Sequence, residues 1–337
     1  MNNIKILNET NYNLDKPSNP SLNNRNNTNV IVDSFINSTA PGKLNSIKRL
    51  TYSQNLNLNS CFRNNYYTCS STDFQYLLPC EVKNVISLRL ASIEIPNAWY
   101  LFSHKQKNNI FKMVINADGI ITNYNIVIPD GNYDNESLTY FLNTTYFCDS
   151  TLDSQLKYIR FSIDNKNFKT RFEFLDDGSF KKYNFSLIFF EELNDNLMNT
   201  AGWILGFRLA SYTNIDVNIQ SEGLFDGSGD KYVYLSLNDY QYNNNSTNIV
   251  GFDQSFMEEG ILAKIPMING KLSLIIDDNN NPLTKTRKYN GPVTIKKLHI
   301  KVLDKFGTII DLNNMDFSFT IELELLYESF NFKDIGY

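Results

Sequence analysis

The chain has 337 residues, room for one large or two ordinary domains; with 42% hydrophobic and 14% aromatic residues, including 24 Phe and 20 Tyr, it is neither disordered nor collagen-like as a whole. Lys plus Arg number 31 against 36 Asp plus Glu, a net charge of -5, so the basic excess of a nucleic-acid-coating protein is missing and a genome-wrapping role is disfavoured. Asn, at 49 residues, reads as AT-rich coding rather than as chemistry.

No stretch approaches the roughly 18 to 20 apolar residues of a membrane span, and the opening Met1-Asn2-Asn3-Ile4-Lys5 lacks the apolar core of a signal peptide. The expectation is a soluble, unsecreted chain with no transmembrane span. Cys61, Cys69, Cys80 and Cys148 form no C-x-x-C and have only two histidines to join them. Reduced thiols are therefore expected, with no zinc site, disulfide framework or cofactor.

In chain order, residues 1–46 read as an Asn-rich arm, with scattered apolar residues and Pro17, Pro20 and Pro41 interrupting any regular element. Its apolar patch is Val30, Ile31, Val32, Phe35 and Ile36, which a neighbouring chain could capture as an added strand. The other reading is a passive unstructured terminus, and composition separates the two no further. Residues 47–337 form the body.

From about residue 72 apolar side chains alternate with polar ones, the period of a half-buried strand. Examples are Phe111-Met113-Ile115, Tyr124-Ile126-Ile128, Ile159-Phe161-Ile163, Phe172-Phe174, Phe185-Leu187-Phe189, Val233-Leu235-Leu237 and Leu272-Leu274-Ile276. The last long run puts Phe317, Phe319, Ile321, Leu323, Leu325 and Tyr327 on one face and Ser318, Thr320, Glu322 and Glu324 on the other, where Glu322→Lys should be tolerated unless that face meets a partner. Two runs change phase midway. Ile86, Leu88 and Leu90 give way to Ile93 and Ile95, and Val293 and Ile295 give way to Leu298, Ile300 and Val302 across Lys296-Lys297. Such breaks predict β-bulges that bend long strands.

Two helices are predicted: one capped by Asp134 and running through Leu138, Phe141 and Leu142, the other over about 199–206 with Trp203, Ile204 and Leu205 buried. Asp164-Asn165-Lys166-Asn167 predicts a hairpin turn. The fold class is thus mainly β, an antiparallel β-sandwich of strands in 72–120 and 230–327, with an inserted α+β element at about 121–210.

Chemistry is sparse. Asp226-Gly227-Ser228-Gly229-Asp230 lacks the Glu of an EF-hand and the Gly-Lys-Ser/Thr of a phosphate loop, so an ordinary turn is preferred to a Ca²⁺ site. Asp277 to Pro282 reads as a loop. His299 lies on a strand's polar face between Lys297 and Lys301, and His104 lies in a connecting loop; no nucleophile elbow accompanies either. Carboxylate pairs such as Glu191-Glu192 nominate no glycosidase without geometry. No catalytic, metal or cofactor residue is nominated.

Five segments carry a resemblance: Asn84 to Tyr100 followed by Asn108-Asn109-Ile110-Phe111; Ile128-Pro129-Asp130-Gly131-Asn132-Tyr133; Gly202-Trp203-Ile204-Leu205-Gly206-Phe207-Arg208; Tyr232-Val233-Tyr234-Leu235; and Leu303-Asp304-Lys305-Phe306-Gly307 through Asp311 to Phe319. In this order they resemble jelly-roll minor capsid or penton-like virion proteins of nucleocytoplasmic large DNA viruses, of the mimivirus and phycodnavirus type, over about residues 72–327. The resemblance implies a capsid-associated structural subunit without enzymatic activity, assembled in the host cytoplasm into the virion. Its partners would be other capsid proteins and copies of itself, with no sequence-specific nucleic acid binding. Penton and minor capsid positions both stay open. Two other classes compete: a carbohydrate- or receptor-binding β-sandwich, favoured by exposed aromatics around Tyr240 to Tyr242, and a hydrolase, favoured by a cleft of carboxylates with raised pKa.

Overall fold

Residues 50–190, 196–245, 248–252, 255–257, 260–277 and 286–327 are described by a computed structural model of the chain. Val30, Ile31, Val32, Phe35 and Ile36, the pair Glu191-Glu192 and most of the 277–282 loop lie outside the described residues. The chain divides into two units. The first takes 1–52 and 325–337; in it the Tyr327 N–H donates to the Leu50 carbonyl at 2.9 Å, and the Tyr52 and Tyr327 rings meet edge-on at 6.5 Å. The second runs from Ser53 to Glu324.

The period of two becomes a mainly-β fold of antiparallel sheets, an arrangement consistent with a β-sandwich. Strands β1 (Thr51–Asn59), β2 (Asp73–Pro96), β10 (Tyr232–Asn238), β14 (Ile261–Pro266), β16 (Thr286–Leu303) and β17 (Ser318–Leu326) form the large sheet in the order β1-β17-β2-β16-β10-β14. Off this path β11 (Asn244–Asn245) pairs with β16, and β15 (Leu274–Asp277) pairs with β2, while β12 (Gly251–Phe252) and β13 (Ser255–Phe256) pair only with each other among the described residues. The 24-residue β2 and 18-residue β16 pair along most of their lengths, with register shifts between Lys288 and Val293, Val293 and Ile295, and Ile295 and Lys297. The last of these falls at the predicted break across Lys296-Lys297; the other two lie upstream of it and were not expected. Val293 and Ile295 are buried before the break and Leu298, Ile300 and Val302 after it. In β2 the buried apolar residues include Phe74 and Leu78 near its start and Val85, Leu88, Leu90, Ile93 and Ile95 further on. Val85 takes the core in place of the expected Ile86 where the register with β16 shifts between Ser87 and Val85.

On β17, Phe317, Phe319, Ile321, Leu323 and Leu325 are buried as expected, but Tyr327 is 60% exposed because it lies past the strand end. The opposite face is laddered to β2: Arg89 donates to Glu322 with both Nε and Nη2, Ser87 donates to Glu324 at 3.0 Å and Ser318 to Glu94 at 2.7 Å. Glu322→Lys would therefore set a second cation against Arg89, so the tolerance expected for a face without a partner does not apply. On β15 the phase is the reverse of the expected one: Ile275 is buried opposite Ile95, while Leu272, Leu274 and Ile276 are exposed.

A second core lies in residues 101–225. Strands β3 (Ile110–Ala117), β4 (Ile120–Val127), β7 (Tyr183–Ile188) and β8 (Ser211–Ile215) form a sheet in the order β4-β3-β7-β8; β5 (Ile159–Ile163), β6 (Thr170–Phe174) and β9 (Asn218–Gln220) form another. β5 and β6 are the predicted hairpin. Helix α1 (Asn135–Thr145) is capped by Asp134, whose carboxylate accepts from the Ser137 N–H at 2.8 Å. It buries Leu138 and Leu142 in the same core, where Phe111, Phe161, Phe172, Phe189 and Phe207 pack ring against ring. Such aromatic pairs contribute about 0.5–1.5 kcal/mol each beyond their burial. The block starts upstream of residue 121, since β3 pairs with β4 and β7 and with no strand of the large sheet among the described residues. The second helical stretch is a 3₁₀ turn, Leu197–Asn199, followed by the short α2, Ala201–Ile204. Leu205 is buried; Trp203 and Ile204 are only half-buried.

Candidate functional site

Four of the five resembling segments contribute to one junction. Where β2 ends, Pro96 leads into Asn97, Ala98 and Trp99, and the following loop is held by side-chain amides. Asn108 accepts the Ser103 N–H at 2.7 Å and donates to the Leu101 carbonyl at 3.1 Å; Asn109 donates to the Ile128 carbonyl at 2.9 Å; Asn132 accepts the Leu101 N–H at 2.9 Å; Asn313 donates to the Ala98 carbonyl at 2.7 Å. Phe102 and Gly131 exchange backbone bonds at 3.1 and 3.0 Å. Each amide satisfies a backbone group that no strand reaches, so these Asn residues act as braces. Tyr232–Leu235 is the exception: it lies in β10, buried on both faces, and does not line the junction.

A cavity of about 120 Å³ opens there, lined among others by Trp99, Trp203, Arg208, Asp230, Lys271 and Asp304. Both tryptophans of the chain line it, each under a cation: Arg208 sits 4.3 Å from the Trp203 ring and Lys271 4.7 Å from the Trp99 ring. Arg208 also donates to the Trp203 and Phe207 carbonyls at 2.9 and 3.1 Å, and Lys271 to the Trp99 carbonyl at 2.9 Å. Burial pushes the Lys271 ammonium down to about 8 against the attraction of Asp230. The Trp99 indole, 2% exposed, has no hydrogen-bond partner at Nε1 among the described residues.

The carboxylates are engaged elsewhere. Asp304 accepts the Phe306 and Thr308 N–H groups, both at 2.8 Å, bracing the turn that Gly307 completes at φ +85°. Burial nevertheless raises its carboxyl to about 6. In the 226–230 loop Asp226 turns to Lys231 at 2.9 Å and Asp230 to Lys305 at 3.5 Å, so the two carboxylates face different cations. No group of three His, Cys, Asp or Glu residues that could hold a metal occurs among the described residues. His104 binds Asp130 at 2.5 Å beside a second cavity, of about 230 Å³, and His299 binds Asp73 at 2.6 Å. Neither histidine meets a hydroxyl or thiol nucleophile in these contacts. What the arrangement does chemically is pair carboxylates with lysines and satisfy loop backbone.

Asp304 yields a pH prediction. Its carboxyl binds a proton more tightly in the fold, at about 6, than at its ordinary 3.8, so protonation favours the fold; that contribution is complete below the ordinary value and lost as pH rises through about 6. Asp304→Asn stays neutral and keeps the oxygen that accepts both N–H groups. The variant should flatten the fall in Tm between about pH 4 and 6, as read by scanning calorimetry. An unchanged slope would assign the raised affinity to another group.

No family model matches the chain, and no curated protein matches it. Among solved structures it is similar to the selenomethionine-labelled mavirus penton protein, at 9% identity and a TM-score of 0.44, over 82% of this chain and 100% of that one.

Proposed function

We propose that the chain is a structural virion protein, a capsid-associated subunit of penton or minor capsid type that acts by assembly with other capsid proteins and with copies of itself. The observation that carries this reading is the junction: four of the five segments behind the family resemblance come together there, and the polar groups around its small cavity are spent on bracing loop backbone and on ion pairs rather than set as a base beside a nucleophile. A catalytic cleft would leave a base and a nucleophile in mutual reach. The arm of residues 1–46 is the proposed contact segment, with Val30, Ile31, Val32, Phe35 and Ile36 as its anchors. The site of action would be the virion, assembled in the host cytoplasm.

Deleting residues 1–46 should leave thermal unfolding of the body unchanged and reduce incorporation into particles or oligomers, read by sedimentation and by pelleting with particles. Normal incorporation would make the arm passive; unfolding would place it in the core. One observation favours a glycan-binding reading: Tyr67 and Tyr242 are each 97% exposed. Against it, the Tyr240 ring is covered by Lys297 at 3.9 Å. Specific retention on a glycan array, lost in Tyr242→Ala, would support that second reading.

A further inference from the structure

A third cleft differs from the junction in what its polar groups do. It lies where β4, the 3₁₀ turn Gln155–Tyr158 and the loop before β7 meet, and is lined among others by Thr122, Tyr124, Asp153, Gln155, Tyr158 and Phe180. Its volume of about 360 Å³ is that of a small-ligand site, for which ~300–1,000 Å³ is usual. Tyr124, Tyr158 and Phe180 are half-buried, since each packs on the core of residues 101–225 and also lines the cleft. The Tyr158 and Phe180 rings meet edge-on at 4.8 Å, and both touch the buried Tyr183, at 6.3 and 5.3 Å. These contacts hold the rings in place before a ligand arrives, so little ordering is left to be done on binding.

The polar groups here are uncommitted, where those of the junction are spent. Ser154 stands at the N-cap of the 3₁₀ turn, where a serine side chain ordinarily accepts a backbone N–H, yet it makes no such bond. Its Oγ is buried with no hydrogen-bond partner among the described residues, and so is the Gln155 Oε1. A buried polar atom left unmet costs about 1–3 kcal/mol. Side-chain rotamer changes on binding are common, so a turn of either residue exchanges that cost for a bond to a ligand. The charged lining residues are Asp153 and Lys157, paired with Nζ at 3.0 Å, which leaves the cleft without net charge.

Rings, hydroxyls, an amide and a balanced ion pair select one class of ligand. A quaternary ammonium would meet Lys157, whose Nζ already sits 5.4 Å from the Tyr158 ring. An anion would meet Asp153, and the cation beside it is already paired. A neutral sugar suits both halves of the lining, because a pyranose has an apolar C–H face for the rings and hydroxyls that donate as well as accept. We infer that this cleft binds a neutral saccharide, a pyranose face packed on Tyr158 and Phe180 and its hydroxyls bonded to Asp153, Lys157, Ser154 and Gln155. The inference goes beyond the virion reading and stands separately from it: a saccharide is titrated against the isolated chain, whereas incorporation is read in particles. The cleft is also distinct from the exposed Tyr242, which does not line it.

The test uses the full chain with a panel of methyl pyranosides of neutral hexoses and N-acetylhexosamines, and with choline and adenosine to represent the competing classes. In saturation-transfer NMR at least one pyranoside should receive saturation at its ring C–H protons, and choline and adenosine none. Phe180→Ala and Asp153→Ala should each weaken that binding by about tenfold or more. Tm of Asp153→Ala should be unchanged, because an exposed ion pair contributes little to stability. Tyr242→Ala should bind as the wild type does. Should Phe180→Ala fail to fold, Asp153→Ala decides. Saturation of no pyranoside, preferential binding of choline or adenosine, or wild-type affinity in Asp153→Ala would overturn the inference.

Discussion

Phe319→Asp should abolish soluble, folded protein. Phe319 is buried near the start of β17, its ring stacked on Phe317 with centroids 5.7 Å apart. Removing a buried Phe side chain costs about 3–5 kcal/mol, and a carboxylate in its place, flanked on its face by Phe317 and Ile321, adds an unpaired buried charge. Domains hold only about 5–15 kcal/mol in total, so the two terms together exceed or consume the margin. Soluble yield and far-UV circular dichroism read the outcome. Normal yield with native dichroism would mean that this face of β17 is not core.

The second large effect is expected at Asp239. Its carboxylate is buried with the Arg287 guanidinium, Nη1 at 2.9 Å, and also accepts the Tyr289 hydroxyl; Arg287 reaches the Gly260 carbonyl at 3.2 Å. Burial pushes the Tyr289 hydroxyl far up, with the Asp239 charge adding to the shift, so the phenol stays neutral and donates. This triad ties β16 to the segment after β10. Asp239→Ala would strand a buried cation, and breaking a buried pair from one side costs about 3–5 kcal/mol. Tm should fall by roughly 5–15 °C, at the few degrees per kcal/mol of a domain this size. Replacing both members, Asp239→Leu with Arg287→Met, should recover most of the loss. If the single variant melts with the wild type, the triad is not coupled to folding.

What alternation can reveal, it revealed. Apolar side chains at every second residue fix which face is buried, so β5, β7 and most of β17 follow from the residues alone, and the phase breaks at 90–93 and 295–298 appear as switches of the buried face in β2 and β16. The cap of α1 was legible because Asp at that spacing has one common use. Edge strands were harder. β15 makes few contacts that enforce a phase, and Leu272, Leu274 and Ile276 turned outward while Ile275 took the core. The hairpin β3–β4 carried its own signal in Asp118-Gly119, a pair suited to positive φ at both positions, yet alternation alone set a boundary at 121 that runs through β4. The junction was invisible in advance for another reason: Trp99, Trp203, Lys271 and Asp304 are far apart in sequence, and only tertiary structure brings their charges and rings together.

The most direct test of the proposed virion role is quantitative mass spectrometry of virus particles purified from the source of this chain. A structural subunit should be found at a fixed copy number per particle, retained through washes that strip adsorbed protein. The chain's absence from purified virions, with ample expression in the infected cell, would contradict the account.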